Sequence, residues 1–127
     1  RAYERLVELA RRGGCRLVLA NFSMAVNNKS DPDVVRFYQV GYPAAPYLVK
    51  ANVLHSEIVR EIVRLHPEVG FLDTHPSLDG NFGDFLDLVH FDPAGERQMA
   101  ETVFAGITNL LEADLAASGT VTKLKTP

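Results

Sequence analysis

The apolar positions of the chain follow a helical period in some stretches and form short unbroken runs in others. Tyr3, Leu6, Val7 and Ala10 recur at i, i+3, i+4, i+7 among Glu4, Arg5, Glu8, Arg11 and Arg12, which predicts an amphipathic helix stopped by Gly13-Gly14. Leu17 to Ala20 is a continuous apolar run closing on Asn21, the pattern of a strand buried on both faces. The same signature returns from Val69 to Leu72 and closes on Asp73. Between the two runs, Ala51, Leu54, Ile58, Ile62 and Leu65 predict the inner stripe of a helix around Asn52 to Leu65, with Glu57, Arg60, Glu61 and Arg64 off it and His66-Pro67 as its end. Ala100, Val103, Phe104, Ile107, Leu110 and Leu111 predict a long final helix.

The connections carry the remaining signals. Residues 22–46 are too long for mere linkage. Ser30 or Asp31 before Pro32 caps a short helix through Gln39, with Gly41 as its stop. This segment also gathers Phe22, Met24, Phe37, Tyr38, Tyr42 and Tyr47, which read either as a lid or acyl-pocket wall or as a cluster pinning a long loop. Residues 74–91 are rich in turn formers and read as a loop, and 118–127 as a frayed tail. Strand, long loop, helix, strand is a βαβ unit, so the predicted class is α/β with parallel strands. Sites in such sheets form outside the carboxyl ends of the strands, where Asn21 and Asp73 stand.

Composition narrows the function classes. The 127 residues bound the chain to one domain at most, with 46% hydrophobic and 23% charged residues. A net charge of −3 with interspersed signs gives no electrostatic footprint for nucleic acid. No apolar run approaches the roughly 20 residues of a membrane helix, so no membrane span is expected. Cys15 stands alone and reads as a small buried hydrophobe.

Chemistry concentrates in Asp87-Leu88-Val89-His90, followed by Asp92 as a helix cap and Pro93 in the first turn. On such a turn the carboxylate can accept the Nδ1–H of His90 and leave Nε2 free to take a proton from a nucleophile. The structural alternative is a turn-forming Asp beside a half-buried loop histidine. Another alternative groups Asp73, His75, Asp79, Asp84, Asp87, His90 and Asp92 as a divalent-metal site for phosphoester hydrolysis.

With Gly95 and Ala100 at their spacing and an apolar strand upstream, the Asp87/His90 block resembles the last conserved block of the SGNH (GDSL-type) serine esterases and lipases. The order of strand, helix and strand is similar too. The resemblance covers residues 1–117 as the C-terminal portion of such a domain and implies a three-layer α/β/α, flavodoxin-like fold. It implies that Asp87 and His90 are triad members, that no cofactor or metal is used, and that the substrate is a small-molecule ester. Phe22, Phe37 and Tyr38 are then candidates for substrate contact. Ser23, Ser30, Ser56, Ser77 and Ser118 lack the flanks of the family's nucleophile block, and its oxyanion-hole blocks are absent. The serine and the rest of the sheet are therefore expected from a preceding half or from a second chain, and a non-catalytic interaction module derived from such a hydrolase is the alternative.

Overall fold

The computed structural model describes residues 1–117. The first helix, α1 (Ala2–Gly13), stops where Gly14 takes the left-handed conformation at φ 65°, its N–H returning to the carbonyls of Ala10 and Arg11. Two strands, β1 (Val18–Ala20) and β2 (Gly70–Leu72), pair in parallel with Val18 opposite Gly70, Leu19 opposite Phe71 and Ala20 opposite Leu72. Between them run α2 (Pro32–Gly41), whose Asp31 cap accepts from the N–H of Asp33, and α3 (Ala45–Leu65), ended at His66. The order is that of a βαβ unit, and the chain is a mixed helix-and-sheet molecule of α/β type.

Residues 74–91, expected as loop, contain a short helix α4 (His75–Leu78) and a 3-10 turn over Phe82–Asp84. The last helix, α5 (Pro93–Ala117), begins at Asp92, whose Oδ1 accepts from the N–H groups of Ala94 and Gly95 at 2.8 Å each. The expected tail, 118–127, lies outside the described residues.

Alternation along the strands distributes the helices over both faces of the sheet. Leu19 and its register partner Phe71 join Val7 of α1 and Val59 and Ile62 of α3 in one core cluster. The other face takes α5, because a Cβ on Gly70 would meet Leu110 at 2.9 Å and one on Gly106 would collide with Leu72. A second cluster, Met24, Val26, Ala45, Val49 and Leu88, packs beyond the strands with Val34, Val35, Tyr38 and Val89 at its margin.

Three expectations change here. The inner face of α3 is Ala45, Val49, Asn52, Ser56, Val59 and Ile62, whereas Leu54 (59% exposed), Ile58 (52%) and Leu65 lie outward with Ala51. Asn52 and Ser56 are polar yet buried: Ser56 Oγ lies 3.3 Å from His75 Nε2 and Asn52 Nδ2 3.5 Å from Asp79 Oδ1, while Asn52 Oδ1 is buried with no partner among the described residues. In α5 the side chains of Phe104 and Leu111 are exposed, and α5 meets the sheet through Gly106 and Leu110. Cys15 is exposed rather than buried, directly after the left-handed turn at Gly14, with Sγ toward the Gly13 carbonyl.

Close approach at Gly95 ties α5 to the preceding loop. A Cβ there would collide with the Asp84 carbonyl oxygen and stand 2.9 Å from the Phe91 ring. Alanine normally favours a helix by up to about 1 kcal/mol over glycine. Overpacking against backbone costs about 1–3 kcal/mol, so the collision decides the sign. Gly95→Ala is expected to lower the urea midpoint with an unchanged m-value; a variant as stable as the parent contradicts this packing.

Candidate active site

Residues 84–92 form a closed hairpin-like loop. Phe85 and Phe91 face each other in an antiparallel bridge with ring centroids 4.6 Å apart, the Leu86 N–H donates to the His90 carbonyl at 2.8 Å, and the Asp92 N–H donates to the Asp84 carbonyl at 3.0 Å. At its tip Leu88 points inward and is 1% exposed, while its carbonyl accepts from the Ala25 N–H at 3.0 Å. Burying such a side chain contributes about 1.5–3 kcal/mol, more than any of the exposed ion pairs at about 0–1 kcal/mol each. The second core cluster therefore anchors this loop, and surface charge does not.

The direction of Asp87 follows from that anchoring. Its Oδ1 accepts the N–H groups of Val89 and His90, both at 2.9 Å, which closes an Asx-type turn. Its Oδ2 lies 2.8 Å from His90 Nδ1 and accepts the Tyr42 hydroxyl at 3.1 Å. With a carboxylate as acceptor, Nδ1 carries the proton and Nε2 offers its lone pair. The His90 side chain is 74% exposed and that of Asp87 29%, so the ring stands outward over a partly sheltered acid.

Asp87 is held ionised well below the usual carboxylate range. The Val89 N–H does most, followed by the His90 ring and the His90 N–H; partial burial opposes them, and the Tyr42 hydroxyl adds a smaller share. Conversely, the bond to Asp87 holds Tyr42 above the usual phenol range. Burial first, and the Asp87 charge second, raise Tyr38.

Beside the loop opens an apolar groove of about 350 Å³, walled by Phe22, Met24, Leu48, Ala51 and Val89, with Asn52 and His55 as its polar members. Val89 immediately precedes His90, so the groove adjoins the histidine-bearing turn. Phe22 is thus in its wall. Phe37 and Tyr38 are not; they line a separate recess of about 320 Å³ with Val34 and Phe82. Their segment, α2, packs Val34, Val35 and Tyr38 onto the second core cluster.

The other polar groups divide clearly. Ser56 Oγ lies 3.3 Å from His75 Nε2, but that nitrogen also lies 3.0 Å from the Phe22 carbonyl, which can only accept. Nε2 of His75 therefore carries the proton and cannot take one from Ser56, itself only 3% exposed. Ser23 bonds Thr74, Ser30 caps the Asn27 N–H, and Ser77 reaches Thr74 and Thr102. Among the described residues none of these serines touches His90. Asp73 is bound by Asn21 and Arg60, Asp79 by the Met24 N–H and Asn27, and Asp84 by Asn81. Among the described residues no three His, Cys, Asp or Glu side chains group as a metal site.

Sequence reading missed Tyr42 and Asn52 as members of the site. Tyr42 was visible as one of several aromatics, with no spacing to connect it to an acid 45 positions away. Asn52 had a signal in its place between Val49 and Ser56 on one helical face. No helix among the described residues is long and apolar enough to cross a membrane. No protein-family model, curated protein or solved structure matches the chain.

The depressed Asp87 couples the loop to pH. An acid whose native value lies below its unfolded one adds stability above the unfolded value of about 4, lost as pH falls from there toward the native value. Asp87→Asn keeps an oxygen for the two backbone N–H groups and removes the charge. It is expected to flatten the acid side of the stability–pH curve below about pH 4. An identical acid limb in parent and variant counts against a native-state shift at Asp87.

Proposed function

We propose that Asp87 and His90 are the acid and base of a Ser-His-Asp triad in an ester hydrolase of SGNH type, with the nucleophilic serine and the oxyanion donors supplied from outside this chain. The observation that carries the reading is the 2.8 Å contact between His90 Nδ1 and a carboxylate held ionised, on an exposed ring whose Nε2 has no partner among the described residues.

In this mechanism Nε2 takes the serine proton as the serine oxygen attacks the ester carbonyl, and returns it to the departing alkoxide. Asp87 keeps the imidazole in the required tautomer and offsets the positive charge it acquires. Water then repeats the sequence on the acyl-enzyme. The apolar groove along Val89 and Phe22 suits the acyl portion of the ester.

The finer architecture in this reading is the three-layer, flavodoxin-like SGNH fold. Support comes from parallel strands, helices on both faces, and a histidine loop that follows β2 at its carboxyl end. Each strand keeps one unpaired edge within the described sheet, and Leu54, Ile58, Phe104 and Leu111 form uncovered apolar faces. Such edges and faces suit a further half-domain or a second chain that completes the sheet.

A second reading, a non-catalytic interaction module, is favoured by one observation: none of Ser23, Ser30, Ser56 and Ser77 contacts His90. The metal-dependent phosphoesterase loses ground because, among the described residues, no three His, Cys, Asp or Glu side chains group as a metal site, and Asp73, Asp79 and Asp84 are bound by other partners.

Hydrolysis of p-nitrophenyl acetate by the protein with the proposed serine-bearing part in place separates the two. His90→Ala is expected to lower kcat/KM by at least ~10³-fold with the circular dichroism spectrum retained. Asp87→Asn, which preserves the turn but favours the wrong tautomer, is expected to cost ~10³–10⁴-fold. Activity should resist chelators and fall to a serine-directed phosphonate. Full turnover in either variant, or no hydrolysis by the parent, favours the interaction module.

A further inference from the structure

Tyr42 is the only residue remote in sequence that holds Asp87 by a side chain among the described residues, and the mechanism above does not use it. It follows the last turn of α2, where its N–H donates to the Tyr38 carbonyl at 2.8 Å. Its hydroxyl then crosses to Asp87 Oδ2, the same oxygen that lies 2.8 Å from His90 Nδ1. Oδ1 accepts the two backbone N–H groups of the turn and also lies 3.0 Å from His90 Nδ1. The carboxylate is thus clamped at both oxygens, and the second clamp comes from α2.

We infer that Tyr42 is a positioning residue for the Asp87/His90 pair, sharing Oδ2 with the imidazole so that α2 sets both the plane and the available charge of the acid. The inference rests on reading that pair as acid and base. Two consequences follow. Without the phenol, the carboxylate plane is defined by the turn alone and the ring loses orientation. Oδ2 also regains undivided charge and attracts the ring proton more strongly.

Two measurements test this and keep its failure distinct from failure of the esterase reading. The first uses the present chain with ¹³Cζ-labelled tyrosine, the Tyr42 signal being identified by its loss in Tyr42→Phe. The Tyr42 phenol is expected to titrate above the ordinary midpoint of about 10, because it donates to the Asp87 carboxylate, and to move down in Asp87→Asn. An ordinary midpoint that Asp87→Asn does not move overturns the inference, whatever the protein catalyses.

The second measurement uses the protein with the proposed serine-bearing part in place and p-nitrophenyl acetate. Tyr42→Phe is expected to lower kcat about 3- to 10-fold, to leave KM within about twofold, and to shift the acid limb of kcat to higher pH. A merely structural tyrosine would leave that limb in place, and an unmoved limb with unchanged kcat overturns the inference. If the parent cleaves no ester while the tyrosine titration behaves as expected, the hydrolase reading fails and the clamp on Asp87 stands.

Discussion

The carboxylate of Asp87 is the constraint on which the site depends. One oxygen closes the turn through the N–H groups of Val89 and His90, the other accepts the Tyr42 hydroxyl, and the imidazole Nδ1 lies within reach of both, at 3.0 and 2.8 Å. A single side chain thereby fixes backbone and ring together. An amide at this position keeps an oxygen for the turn and removes the charge, which separates folding from charge.

The rest of the molecule holds that loop in place. Core cluster one sets the two strands against α1 and α3, and α5 approaches the opposite face because glycines stand at positions 70 and 106. Core cluster two buries Leu88 at the tip of the loop, while Gly95 lets α5 press against the Asp84 carbonyl. The contrast with His75 is instructive. Both histidines have an oxygen within hydrogen-bonding reach of one ring nitrogen, but His75 Nε2 is committed to a carbonyl beside a buried serine, whereas His90 presents Nε2 outward. Orientation, rather than residue type, separates a structural histidine from a candidate base.

The uncovered surfaces follow from the same architecture. Helix α3 is apolar on two sides, and its inner side is occupied by Asn52 and Ser56 as well as by aliphatic residues. Leu54 and Ile58 are thereby left outside, as Phe104 and Leu111 are on α5. In a sheet of only two short strands these faces and the two free edges have nothing to cover them among the described residues. This is the physical reason for expecting a further structural half in the proposed assembly.

The sequence by itself determined what short-range sterics and local hydrogen bonds decide. The Asp31 and Asp92 caps, the stop at Gly14, the approximate strand positions and the three-residue reach from Asp87 to His90 all lie within one turn of chain, where backbone geometry leaves few options. Only the tertiary structure decided which face of α3 packs, that Phe22 lines the groove while Phe37 and Tyr38 line another recess, and that Tyr42 reaches Asp87. Those outcomes depend on contacts between segments far apart in sequence, which the spacing of apolar residues along a single helix does not encode.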